Sequence, residues 1–217
     1  LLLGAGLPLR DVFLWSALPA VLCLALAAGL REPAEAASRE SRKIDWHLAR
    51  LPGRLRRYLA VVALFTLGNS SNMFLLLRAR ELGVPEAQVP LLWAAVSAVA
   101  MLASTPLSGL SDRVGRVRLL VAGYLAYGLF YLDLGLIGGD GPLLYLLFAG
   151  YGLFMAATEG VEKALVADLA PAGRQGTAFG WFNLTAGVCL LPASLVFGAL
   201  YQGVAPWAAF AFSAACA

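Results

Sequence analysis

Gly109-Leu110-Ser111-Asp112-Arg113-Val114-Gly115-Arg116-Val117-Arg118 sets four charged residues between two long apolar runs. Upstream, Ala87 to Ser111 is 25 residues without a charge. Downstream, 119–137 carries a single charge, Asp133. A helix of roughly 20 mostly apolar residues crosses a bilayer. The charged stretch therefore reads as a short turn joining two membrane spans. Gly115 permits a tight backbone turn, and Gly109 permits close approach of a neighbouring helix. Asp112 falls at the end of its span, where an unpaired carboxylate is costly, so it calls for a cationic partner. Arg113 and Arg116 supply that charge locally.

The same pattern extends outward. Of 217 residues, 60% are hydrophobic and 13% charged, against roughly 25% charged in a soluble domain. Val12 to Leu30 is 19 residues without a charge, Tyr58 to Leu77 is 20, and Gln175 to Ala217 is 43. Backbone in lipid finds no water, so only helices or closed barrels span it. A barrel would alternate apolar and polar residues in segments of roughly ten. Here runs of Leu, Ala, Val and Gly dominate without that alternation. The expected fold is an all-α polytopic transmembrane helix bundle. Six full spans lie near 11–30, 58–77, 89–109, 119–137, 142–168 and 177–200, with a truncated seventh at 206–217.

Loop charges orient the chain. The loops 31–57, 110–118 and 169–176 hold twelve basic residues, the opposite side holds Arg10, Arg78 and Arg80, and Lys163 lies within a span. Positive loops stay in the cytoplasm. These three loops are expected there, in a chain integral to the cell membrane. The alternation of sides is consistent for every span. The 31–57 loop is the one clear boundary, with eight basic and four acidic residues plus Pro33 and Pro52. Arg50, Arg54 and Arg57 recur at helical spacing beside Ile44, Trp46, Leu48, Leu51 and Leu55. That pattern fits an amphipathic helix on the inner membrane face. It fits a solvated linker equally well. His47, the lone histidine, falls in this loop. Cys23, Cys189 and Cys216 lie in apolar spans without metal-ligand spacing. The chain opens on Leu1-Leu2-Leu3-Gly4 and ends on Ala215-Cys216-Ala217, so it is expected to be a fragment cut within hydrophobic segments.

The Asp112-Arg113-x-Gly115-Arg116 turn, preceded by Gly109, resembles the loop signature of the major facilitator superfamily. In that family the signature lies between the second and third helices and recurs between the eighth and ninth. Asp168-Leu169-Ala170-Pro171-Ala172-Gly173-Arg174, followed by Gly176 and Gly180, is similar to a connection found in many members. The resemblance covers the whole chain. It implies helices six to eleven and the start of twelve, the C-terminal half of a transporter. Residues 1–30 would be the last helix of the N-terminal half, 31–57 the cytoplasmic basic linker, and 58–217 the truncated C-terminal half. It also implies that Asp112, Arg113, Arg116, Asp168 and Arg174, with Gly109 and Gly115, form a cytoplasmic charge cluster. Such a cluster would latch one access state; the alternative is charges that set topology alone.

Ionisable residues inside spans are expensive and are functional candidates for that reason. Glu159 and Lys163 are spaced i,i+4, with Glu162 close to the same face. If this helix matches the family's tenth, it borders the central cavity. Glu159 would then bind a proton or cation with Lys163 as switchable partner; otherwise the two are a neutralised packing pair. In the second span, Asn69-Ser70-Ser71-Asn72 puts two amides on one helical face at i,i+3. They suit contact with a polar solute or a bond to another helix. Asn183 is a weaker case of the same kind. Arg78 and Arg80 end that span and are expected to snorkel. Tyr124, Tyr127 and Tyr131 form a stripe that reads as packing. Gly150, Gly152, Gly160, Gly180, Gly187 and Pro192 suit close packing and bending.

The resemblance implies secondary active transport of a small solute by alternating access, coupled to a proton or ion. The alternative is a membrane scaffold or sensor of the same fold. An intramembrane enzyme would need a nucleophile with its base or a metal site, and neither His-Glu-x-x-His nor Gly-x-Ser-x-Gly occurs. No phosphate-binding Gly-x-x-x-x-Gly-Lys loop occurs either. No cofactor is expected. The expected partners are the lipid bilayer, a small-molecule substrate, a coupling proton or cation and the N-terminal six-helix half of the same protein. No nucleic acid is expected.

Overall fold

The computed structural model describes residues 9–29, 48, 51–139 and 141–217. The chain divides into two compact units, Leu1–Ile44 and Asp45–Ala217. Within the first, α1 (Leu9–Ala28) is 20 residues long and carries Pro19 in its interior. Most of the 31–57 loop, His47 included, lies outside the described residues, and so do 1–8 and Asp140.

The second unit contains α2 (Gly53–Gly68), α3 (Met73–Glu81), α4 (Val89–Val114), α5 (Arg116–Leu136), α6 (Pro142–Leu169), α7 (Gln175–Gly203) and α8 (Pro206–Cys216). Among the described residues, five stretches are long and apolar enough to cross a membrane: Gly53–Glu81, Val89–Val114, Arg116–Leu136, Pro142–Leu169 and Gln175–Gly203. The protein is an all-α bundle integral to a membrane. α5 displays the logic. Val121, Leu125, Leu129 and Leu136 form an exposed stripe at three- to four-residue multiples, while Tyr124, Tyr127 and Tyr131 are buried on the other face. Exposed leucines on a helix of this length belong against lipid.

Helix limits follow local chemistry. α6 and α8 open with Pro142 and Pro206, where a missing N–H is harmless. α6 ends at Leu169, just before Ala170 turns extended ahead of Pro171. The expected loop 110–118 shrinks to one non-helical residue. Gly115 alone separates α4 from α5, at φ +101°. An L side chain strains in that backbone region, and glycine does not.

One expected element is corrected. The span 58–77 is not a single helix but two, α2 and α3, interrupted at residues 69–72. The Asn69 N–H bonds back to the Phe65 and Thr66 carbonyls, at 2.9 and 3.1 Å, and ends α2. The Ser71 hydroxyl accepts from the Met73 N–H at 3.4 Å, and the Asn72 carbonyl accepts from Leu75 at 3.1 Å, starting α3. Asn and Ser side chains compete with the helical ladder for backbone partners, and four in a row break it.

α6 packs closely on α4 and α5, α8 on α5 and α7, and α2 on α7. Small residues permit the tightest of these contacts. A Cβ on Gly152 would come within 2.7 Å of the Val96 carbonyl oxygen, and one on Gly123 within 2.5 Å of Thr158. α2 and α6 meet only sparsely, and the space between them becomes a cavity. By contrast, a Cβ at Gly109, Gly150, Gly180 or Gly187 would meet nothing within 4 Å. Close packing at those four glycines is not seen among the described residues. Pro192 sits inside a continuous α7. Leu51 and Leu55, which fitted either the apolar face of a surface helix or a solvated linker, are buried in the bundle.

Candidate functional site

The cavity has a volume of about 310 Å³ and is walled by α2, α6, α7 and the break at 69–72. Asn69, Asn72, Glu159 and Glu162 all line it. Four of the six intramembrane candidates thus converge on one space. Lys163 and Asn183 do not line it; both are exposed. Glu159 and Lys163 form no ion pair within 4 Å among the described residues. The i,i+4 spacing brings the two onto one helix side without joining them. A second cavity of about 490 Å³ adjoins the break on its other side and shares Asn69, Asn72 and Leu190 with the first.

The broken helix explains why the amides face the cavity. They do not sit on a common helical face, as i,i+3 spacing in one helix would require. Asn69 follows the end of α2, and Asn72 precedes α3. The break takes the helical partner from the Gly68 carbonyl, which accepts instead from the Ser70 N–H at 3.1 Å. The Tyr127 hydroxyl donates to it at 3.0 Å. The Tyr151 hydroxyl donates to Asn72 Oδ1 at 2.9 Å. Two tyrosines from α5 and α6 therefore hold the unwound segment in place.

Glu162 has its own tyrosine. The Tyr124 hydroxyl donates to Glu162 Oε1 at 2.9 Å, and the Tyr58 hydroxyl to the Glu162 carbonyl oxygen at 3.4 Å. Tyr124 is fixed by stacking on Phe65, with ring centroids 3.9 Å apart. The tyrosine stripe of α5 packs as expected, but its hydroxyls also position a carboxylate and a helix break. That second role leaves no mark in the spacing of the stripe. Tyr151, Phe154 and Phe182 line the cavity too. They read in the sequence as ordinary apolar residues of their spans.

The charge cluster at the α4–α5 turn centres on Arg116. Its guanidinium lies 2.5 Å from Asp168 and 3.7 Å from Asp112, and donates to the Ala164 carbonyl at 2.7 Å. Ala164 belongs to the last turns of α6, where carbonyls attract a cation. Arg116 therefore ties α4, α5 and α6 together. Arg113 makes no ion pair among the described residues, and its side chain borders a shallow surface pocket with Pro106, Gly109 and Leu110. Arg174 is the residue before α7 and accepts from the Ala178 N–H at 3.1 Å through its carbonyl.

At the opposite end of α5, Arg78 does more than snorkel. It donates to the Leu134 and Ile137 carbonyls, at 3.3 and 3.1 Å, and lies 3.5 Å from Glu81. Glu81 also accepts from the Tyr201 hydroxyl of α7. Arg80 pairs with Glu86 at 3.4 Å, both largely exposed.

A helix bundle of this kind, with a polar cavity at a broken helix and an Arg116 cluster at one end, defines a polytopic membrane protein. The family model of the Major Facilitator Superfamily matches residues 58–217, and the chain belongs to that superfamily. Over 158 residues it is 37% identical to an uncharacterised MFS-type transporter of Methanocaldococcus jannaschii, an alignment covering 70% of this chain. The matched part is 39% of that relative's length. No solved structure matches the chain at a significant level.

Proposed function

We propose that the chain is the C-terminal half of a secondary active transporter that moves a small solute by alternating access, with a proton or cation coupled to the movement. The cavity carries this reading. Two carboxylates, two amides and a ring of aromatics converge on one space at an unwound segment. Unwound backbone at membrane depth is tolerated where it lines a cavity, and transporter sites are built in this way. Membership of the superfamily and likeness to an MFS-type transporter support the same function.

On this reading the N-terminal six-helix half of the same protein closes the other side of the cavity. Residues 1–30 are the last helix of that half, 31–57 the linker and 58–217 the second half. The protein sits in the cell (inner or plasma) membrane, and the basic loops 31–57, 110–118 and 169–176 face the cytoplasm. Glu159 and Glu162 carry the coupling proton or cation, with Tyr124 orienting Glu162. Asn69 and Asn72 contact the solute. Asp112, Arg116 and Asp168, with Arg113 and Arg174 nearby, latch the cytoplasmic end in one access state.

Flux tests it. Full-length protein in proteoliposomes should move a solute down an imposed proton or sodium gradient, and dissipating the gradient should stop accumulation. Absence of gradient-driven flux over a broad solute panel would overturn the proposal and favour a scaffold or sensor. For the latch, Asp112→Asn should change the transport rate, and a normal rate would remove the latch.

A further inference from the structure

The lining of the cavity is unbalanced in charge. Glu159 and Glu162 both border it, and among the described residues no Lys, Arg or His does. The cation nearest in sequence, Lys163, is exposed and makes no ion pair with either glutamate among the described residues. Tyr124 engages one oxygen of Glu162, and the other has no protein partner among the described residues. Phe65 and Phe182 from neighbouring helices, and Tyr151 and Phe154 from the carboxylates' own helix, line the same space. Carboxylates and ring faces share one preference: both attract a cation, and the rings also bury apolar surface.

From this lining we infer that the solute received by this wall is a monovalent organic cation with an aromatic or branched apolar body. An anion would meet two carboxylates, with Lys163 outside the lining as the nearest positive charge in sequence. A bare inorganic ion would need a tight shell of oxygen ligands, whereas this space is about 310 Å³ and walled mostly by hydrocarbon. That volume falls within the range of about 300–1,000 Å³ typical of pockets for drug-sized molecules. A cation with an apolar body uses both halves of the lining, its charge against Glu159 and Glu162 and its rings against the aromatics. The inference rests on the transporter reading for its biological sense, but not for its test.

The test is binding by the full-length protein in detergent, measured by equilibrium dialysis. Three probes of similar shape differ in charge: tetraphenylphosphonium, triphenylphosphine oxide and tetraphenylborate. The wild-type protein should bind the phosphonium at least about tenfold more tightly than the neutral and anionic probes. In the Glu159→Gln/Glu162→Gln protein that preference should fall to about parity. Equal or tighter binding of the neutral or anionic probe by wild type overturns the inference, and so does no phosphonium binding. Because the wild-type comparison needs no variant, a misfolded double mutant does not blunt it. Phosphonium binding without gradient-driven flux of any solute would leave the inference standing and remove the transporter reading. Flux of a neutral or anionic solute without phosphonium preference would do the reverse.

Discussion

The Arg116 cluster and the cavity at residues 69–72 are both polar islands in an apolar bundle, and they are built on opposite terms. The cluster joins a local i,i+4 pair, Asp112 and Arg116, to Asp168 at the end of α6, and its carboxylates are exposed: Asp112 shows 70% of its side-chain surface and Asp168 52%. The cavity is formed by residues drawn from Val62 to Leu190, and its hydrogen bonds run from tyrosines on one helix to acceptors on another element. Exposed ion pairs contribute little to stability, about 0–1 kcal/mol each. Buried hydrogen bonds contribute similar net amounts, but losing one partner leaves the other orphaned, at about 1–3 kcal/mol. The cluster is thus suited to opening and closing, and the cavity to staying as built.

The largest expected effect separates chemistry from scaffolding. Glu162→Gln keeps shape and a hydrogen-bond acceptor for Tyr124, so the melting temperature should hold. The initial rate of gradient-driven transport should fall by about two orders of magnitude, equivalent to about 2.7 kcal/mol. An unchanged rate would show that the cavity carboxylate is packing. Next, Gly115→Ala places a side chain at a left-handed backbone position and should lower stability by about 1–2 kcal/mol, read from thermal melts in detergent. Tyr151→Phe removes the bond to Asn72 and should lower stability by about 1 kcal/mol, with weaker solute binding if the break shapes the site. The smallest stability change belongs to Asp112→Asn, within about 0.5 kcal/mol, because the pair is exposed and 3.7 Å long. A transport effect there, without a matching stability effect, would sharpen the contrast between latch and frame. A large melting shift would break it.

The same contrast decides what was legible in the sequence. Charge-free windows announce the spans, and the Asp112–Arg116 turn announces itself, because both are local properties. Asp112 and Arg116 meet within that turn, and Asp168 joins them from the end of α6. The break at 69–72 was visible as four polar residues, yet nothing there shows that Tyr127, 59 positions away, adds a second bond to the Gly68 carbonyl beside that from Ser70. Tyr124 shows the same limit: three tyrosines in a stripe predict a packing face, and the hydroxyl that meets Glu162 is invisible until α5 and α6 are side by side. Glu159 and Lys163 illustrate the converse. Helical spacing makes a pair available without making it form.

The single-residue joint at Gly115 also bears on where the chain can grow. The connection at 82–88 and the turn at 170–174 each leave several residues outside helices. Between α4 and α5 there is one, so an added residue there would rotate one helix by about 100° relative to its neighbours. Tags, reporters and natural insertions have room at the first two places and almost none at the third.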